Sequence, residues 1–152
     1  MVNSVVIHLV GVVRDLGVLP DRELTMKSHI NELVSTCFYH IRRLTQLKRH
    51  ANRDVMKQLV SALILSRLDY CDSVMVGLPW STIAPVQLGQ NAAARLSACD
   101  HAGPTIRELH WLPVVHRIKF KVALLMYMAH NCLCPLYISE VLTPVSNTSL
   151  HR

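Results

Sequence analysis

One stretch, residues 53–79, constrains the fold more than any other part of this sequence. It reads RDVMKQLVSALILSRLDYCDSVMVGLP, and its first part is the most apolar helix candidate in the chain. Apolar side chains recur there at spacings of three and four, which predicts a single stripe along a helix. These residues are Val55, Met56, Leu59, Val60, Leu63, Ile64 and Leu68. Ala62 and Leu65 widen the stripe, so we expect a central helix that other helices surround on nearly all sides.

The segments on either side predict the layers around this helix. Apolar periodicity predicts long helices at residues 25–48, 81–98 and 113–131. Shorter helices are expected at residues 105–110 and 136–142, between Pro and Gly breaks. These helices would supply the apolar faces that cover the central one.

Polar residues stand where several of these helices should begin. Thr25 and Ser81 each offer a side-chain oxygen to the first free amides of a helix, and either Asn52 or Asp54 can do so for the central helix. Pro113 suits the first position of its helix, where no amide donor is needed.

The N-terminal segment differs from the rest. Residues 4–10 and 12–18 are short β-branched runs joined at Gly11, which predicts a hairpin. With only 5 Gly and few turn signals, a many-stranded sheet is disfavoured. We therefore predict a mainly α-helical fold, an irregular bundle of about five helices with a short N-terminal β-hairpin. The expected division is a hairpin at 1–24, a helical region at 25–144 and a polar tail at 145–152.

The composition limits which cellular compartment and which binding partners we expect. The formal charge of +6 suits nucleic acid or an anionic surface, although many ordinary proteins share such an excess. The 5 Cys are scattered and form no C-x-x-C pair, which favours a reducing compartment. The longest purely apolar run, residues 122–129, is far shorter than the roughly 20 residues that span a bilayer. We expect an intracellular protein of the nucleus or cytoplasm, neither secreted nor bound to a membrane.

Catalytic chemistry has little support in the residues. Asp69 and Asp72 are two acids three residues apart, which could share a helix face, and polymerases need carboxylates that hold two metal ions about 3.5–4 Å apart. No third acid accompanies them, so capping and solvation at a helix end is the favoured interpretation. Histidines and cysteines are numerous, but no pair has the spacing of a zinc site, and no glycine-rich phosphate loop is present. We expect neither a metal nor a cofactor.

Two basic clusters are the best candidates for binding. The first comprises Arg42, Arg43, Lys48, Arg49, Arg53 and Lys57. The second comprises Arg117, Lys119 and Lys121. Spaced along helices, such residues could contact phosphates, or they could simply form a solvated face. The residues alone leave both interpretations open.

Five strings, taken in order, resemble one family. LGVLPDRELTMKSHI at residues 16–30 is similar to the segment just past the catalytic palm in reverse transcriptases of non-LTR (LINE-type) retrotransposons, the jockey-like elements among them. Four more strings follow in the order of that family. They are SRLDYCDSVMVGLP (66–79), QNAAARL (90–96), LHWLPV (109–114) and RIKFKVALLMYMAHN (117–131). The resemblance covers about residues 12–144 of the sequence.

The resemblance implies the end of the palm, the helical thumb and the region after it. In that family the reaction is RNA-templated DNA synthesis, and the metal-binding aspartates lie in a palm motif with two adjacent Asp. This sequence contains no adjacent Asp pair. We therefore expect a non-catalytic C-terminal fragment with residual binding to an RNA/DNA duplex, and with the palm domain of a full-length reverse transcriptase as a partner. The alternative is a helical protein-interaction module without nucleic-acid binding.

Overall fold

The computed structural model describes residues 14–70, 72–97, 106 and 109–142, and these residues are mainly α-helical, as predicted. The helices are α1 Lys27–Leu47, α2 Arg53–Val60, α3 Ser66–Asp69, α4 Trp80–Ser97, α5 Val114–His130 and α6 Leu136–Ser139. A π-helical segment, Ser61–Leu65, joins α2 to α3, and a 3-10 turn, Asp72–Met75, follows α3. The described residues contain no β-strand.

The predicted N-terminal hairpin lies mostly outside the described residues, as do the polar tail and most of the short helix at 105–110. The last residues of the second predicted strand are described, and they form a turn. Asp15 and Val18 exchange backbone hydrogen bonds of 2.9 and 2.8 Å, with Leu16 and Gly17 between them at positive φ. A strand running to Val18 is therefore wrong, because the chain reverses at Gly17.

Helix α1 begins two residues later than the sequence predicted, and Thr25 does not cap it. The N-cap residue is Met26, whose backbone is left-handed at φ 58° and whose side chain makes no capping bond. The amide of Thr25 instead donates to Asp21 Oδ1 at 2.6 Å, and its hydroxyl donates to the same carboxylate. Burial of the Met26 side chain in the core offsets the steric cost of that conformation.

Helices α2 and α3 and the π segment between them form one continuous rod at the centre of the core. Its buried side chains are Met56, Val60, Ile64, Leu65 and Leu68. A π turn accommodates an extra residue, and here the two neighbours Ile64 and Leu65 are both buried. Asn52 occupies the N-cap position, but no side-chain cap is formed.

The central rod is not surrounded on nearly all sides, contrary to the expectation. Val55, Gln58, Ser61, Ala62 and Ser66 are exposed on its outer face. Leu63 is only half-buried, although it packs against the core. The polar residues at 58, 61 and 66 interrupt the apolar surface of the rod, so one of its faces is exposed to solvent.

Helix α4 packs along α1 and the rod. Gly89 faces Cys37 of α1 so closely that a Cβ at Gly89 would lie 3.9 Å from the Cys37 Cβ. Ala93 and Ala94 of the same helix are also buried, and their small side chains permit close helix contact. Pro85 lies within the second turn of α4.

Two glutamines of α4 hold the start of α5. Gln87 Oε1 accepts the backbone N–H of Val114 at 2.9 Å, which gives α5 the cap that Pro113 cannot supply with its own side chain. Gln90, fully buried, donates through Nε2 to the carbonyl of Leu112 at 2.8 Å. Only the first half of α5 is packed in this way.

The second half of α5 leaves the core. Val114, Ile118 and Ala129 are buried, whereas Leu125 of the same helix is exposed. Several large apolar side chains of α5 and α6 are exposed to solvent. They include Phe120, Leu124, Met126, Tyr127, Leu136 and Tyr137. None of the described helices is long and apolar enough to cross a bilayer.

Candidate nucleic-acid interface

The first basic cluster lies where α1 ends and α2 begins. Residues 48–52 connect the two helices through a tight turn, in which the amides of His50 and Ala51 donate to the Leu47 carbonyl at 2.9 and 3.0 Å. Ala51 is drawn against the core by this turn. The flanking basic residues lie near the end of α1, in this connection and at the start of α2, and we term this set the basic junction. It consists of Arg42, Arg43, Lys48, Arg49, Arg53 and Lys57.

The basic junction is accessible, and its stretch of sequence contains one acid. All of its side chains are exposed except that of Lys57, which is half-buried. The only acid between residues 42 and 57 is Asp54, which lies 3.9 Å from the Lys57 ammonium. That contact also places a carboxylate in the first turn of α2, where the helix dipole favours it. The basic junction therefore carries six cations and one acid within residues 42–57.

Two arginines of the basic junction are held in place by α1 itself. Arg42 Nε donates to the Phe38 carbonyl at 3.3 Å. The Arg43 guanidinium lies 5.9 Å from the centre of the Tyr39 ring, a cation–π distance. Neither contact uses all the donors of a guanidinium, so both arginines retain donors for a phosphate.

A solvated, purely structural role for these charges also has a physical basis. Lys48 and Arg49 follow the C-terminus of α1, where unpaired carbonyls carry partial negative charge. Cations at that position stabilise a helix by roughly 0.3–1 kcal/mol. Both interpretations of the basic junction predict exposed cations here, and binding experiments are needed to separate them.

The second cluster is different, because Arg117 is engaged inside the protein. Its side chain is 14% exposed and forms an ion pair with Asp69 at the end of α3. Its Nε also donates to the Leu112 carbonyl at 2.8 Å. Contact with a phosphate would require breaking these bonds, which argues against Arg117 as a phosphate ligand.

Lys121, one turn further along α5, faces acids as well. It lies in the field of Asp72, and both line one cavity together with Asp69, Arg117 and His110. The charges of Asp69 and Asp72 therefore largely offset those of Arg117 and Lys121. Lys119 is exposed on another side of α5. The second cluster is a much weaker candidate than the basic junction.

Asp69 and Asp72 have separate structural roles. Asp69 pairs with Arg117, as described above. Asp72 opens the 3-10 turn and is buried, and its Oδ1 has no hydrogen-bond partner among the described residues. Burial raises the pKa of Asp72, and the charge of Asp69 adds to this effect, whereas Lys121 and Arg117 oppose it. The described residues contain no group of three His, Cys, Asp or Glu side chains that could hold a metal ion.

Sequence reasoning missed the side chains that join the helices. Gln87, Gln90, Asp69 and Arg117 form a connected polar network around the Leu112 carbonyl, which accepts from both Gln90 and Arg117. The sequence does show polar residues within otherwise apolar helices. It does not show which of these residues, far apart in the chain, contact one another in the folded protein.

Comparison with protein-family models, with curated proteins and with solved structures found no match for this chain.

Proposed function

We propose that this chain is a non-catalytic, thumb-like fragment of a non-LTR retrotransposon reverse transcriptase that binds an RNA/DNA duplex through the basic junction. It contributes no polymerase chemistry of its own, since it lacks the adjacent palm aspartates of that family. Its contact with the duplex is to phosphates, which position a nucleic acid without reading its sequence.

The exposed charge of the basic junction is the observation that carries this proposal. The residues come from the end of one helix and the start of the next, and a single acid accompanies them. Affinity for nucleic acid arises chiefly from the release of counterions when cations neutralise phosphates. A cluster of exposed cations such as the basic junction suits the regularly spaced phosphates of a nucleic acid better than a small polar ligand.

The family strings support the proposal in a second way, because they contact one another. Asp69, in the string at 66–79, pairs with Arg117 in the string at 117–131. Gln90, which begins the string at 90–96, donates to Leu112 in the string at 109–114. Strings that resemble one family therefore hold one another in a single helical unit, as expected of a segment that folds as a unit.

A mobility-shift experiment with the full chain tests this function. An RNA/DNA hybrid of unrelated sequence, a duplex DNA and a single strand serve as probes. We expect the hybrid and duplex DNA to bind with weak sequence dependence and to dissociate as salt is raised. Absence of binding at low salt would contradict the proposal.

A second candidate is a helical protein-interaction module, and the outer face of α5 favours it. Phe120, Leu124 and Tyr127 are exposed at spacings of four and three, so they share one face of that helix. A contiguous exposed apolar face is typical of an interaction site. This module predicts that duplex binding is absent, and that Phe120→Ser improves solubility without changing the fold.

A further inference from the structure

A cavity of about 390 Å³ lies between the first half of α1, the end of the central rod and the turn at residues 15–18. It is separate from the basic junction, and the proposed duplex binding does not use it. Its volume falls within the range of roughly 300–1,000 Å³ that small-molecule sites occupy. The side chains that give it chemical character are Arg14, His29, Glu32, Thr36, Arg67 and Tyr70.

Two arginines, Arg14 and Arg67, line the cavity. Arg14 precedes the turn and pairs with Glu32 at 3.4 Å, with both side chains largely in solvent. Arg67 lies on α3, is exposed, and forms no ion pair with any residue that the structure describes. Its charge reaches the Cys37 thiol and the His40 ring on α1. The arginines outnumber the single carboxylate, so the cavity favours an anion.

His29 adds a polar group that the folded chain leaves unsatisfied. Its side chain is 6% exposed, and Nε2 has no hydrogen-bond partner within the described ranges. Burial lowers the pKa of His29, with Glu32 acting in the opposite direction, so the ring is neutral near pH 7. A buried nitrogen without a partner costs free energy. A ligand in the cavity could provide that partner.

The remaining walls suit a flat ring beside the anion. Tyr70 donates its hydroxyl to the Leu16 carbonyl at 2.6 Å and so anchors the turn across the cavity. Gly17 adopts φ +84°, a conformation that favours glycine, and a Cβ there would lie in ordinary van der Waals contact with the Tyr70 ring, at 3.4 Å. Leu33 contributes an apolar surface. An aromatic ring and an aliphatic wall are the surfaces on which a nucleobase stacks.

We propose that this cavity is a binding site for a phosphorylated small molecule of mononucleotide size. Arg67 binds the phosphate through its guanidinium, with the Thr36 hydroxyl as a second donor. Guanidinium is the side-chain group best matched to phosphate, because its donors form a fixed planar fork. Glu32 lowers the affinity for the phosphorylated ligand in two ways. Its own negative charge repels the phosphate, and its ion pair with Arg14 leaves that arginine less available to the ligand.

Titration calorimetry of the full chain tests the site with adenosine 5′-monophosphate as the probe. Inorganic phosphate and adenosine, titrated separately, supply the two halves of the ligand. We expect the monophosphate to bind more tightly than either half. Equal binding of adenosine and the monophosphate would overturn the proposal, since the arginines would then contribute nothing.

Substitutions sharpen the test. Arg67→Gln should weaken monophosphate binding by roughly tenfold or more. Arg95→Gln makes the same change at an exposed arginine of α4 and should leave the affinity unchanged. Unchanged affinity in Arg67→Gln would contradict the assignment. Thr36→Val, which removes the hydroxyl at nearly constant volume, is the second loss-of-binding variant.

Glu32→Gln should increase the affinity for the monophosphate, and a misfolded variant would not show such an increase. The change removes a negative charge from the rim and releases Arg14 from its ion pair, so the monophosphate should bind several-fold more tightly at low salt. Weaker or equal binding in this variant would overturn the proposal. The duplex-binding measurement is independent, because none of these substitutions touches the basic junction.

Discussion

Arg117 of α5 and Asp69 at the end of α3 form an ion pair that fixes α5 to the central rod. Arg117 is largely buried, and its Nε shares the Leu112 carbonyl with the buried amide of Gln90. Two helices, α4 and α5, therefore donate to one carbonyl oxygen, and Asp69 of α3 joins the network through Arg117. This network, together with the Gln87 cap on Val114, holds the start of α5 against α4.

The first prediction concerns this network. Arg117→Met should lower the free energy of unfolding by about 1–3 kcal/mol, because it leaves Asp69 unpaired and removes one donor to Leu112. Gln90→Leu should cost a similar amount, since the same carbonyl loses its other donor. Urea denaturation of both single variants and of the double variant measures the coupling. We expect a coupling of at least about 0.5 kcal/mol, whereas strictly additive losses would show that the two donors act independently.

The second prediction compares two valines in α2. Val60 is fully buried in the core, and Val55 is 47% exposed on the same helix. Val60→Ala should reduce stability by roughly 1.5–3 kcal/mol, through lost burial and the cavity left behind. Val55→Ala, the same chemical change, should alter stability by less than about 0.5 kcal/mol. Thermal or urea unfolding measures both, and similar losses in the two variants would mean that α2 is packed differently.

The third prediction is a pH dependence that arises at Asp72. Burial raises the pKa of this carboxyl above its ordinary value of 3.8, against the opposing fields of Lys121 and Arg117. The folded protein therefore holds the proton more tightly than the unfolded chain does. Asp72 destabilises the fold at neutral pH, and this penalty disappears as pH falls through the raised value to below 3.8. The groups that face it across the cavity are Asp69, His110, Arg117 and Lys121.

Asp72→Asn should accordingly be more stable than the parent chain near pH 7, and the advantage should shrink towards about pH 3. Denaturation at a series of pH values measures the difference between the chains. An advantage that grows in acid would reverse the sign of the argument.

The fold class could be predicted from periodicity because most helices here carry a clear apolar face. Ile30, Cys37 and Leu44 on α1 are spaced by seven and are all buried. The π segment could not be anticipated, since a pattern of threes and fours does not reveal one extra residue. The solvent-exposed half of α5 was also missed, because the sequence does not show how far a partner helix extends along Leu124 and Leu125.

The candidate site was only partly predictable. Local clustering along the chain identified residues 42–57 as a candidate, and a short turn joins the two helices that carry them. For the second cluster the same reasoning was inadequate. Whether Arg117 reaches solvent depends on Asp69, 48 residues earlier in the chain, and charge counts along one helix cannot include that partner.

The salt dependence of duplex binding tests the central claim most directly. Charge reversal at Arg49 and Arg53 removes two phosphate contacts, so the slope of log affinity against log salt should fall by about two. The matched control reverses Arg22 and Arg95, exposed arginines outside the basic junction, and so produces the same change in net charge. Our account predicts a reduced slope and weaker binding to all sequences in the first variant only. Equal effects in the two variants, or no salt-sensitive binding by the parent chain, would contradict it.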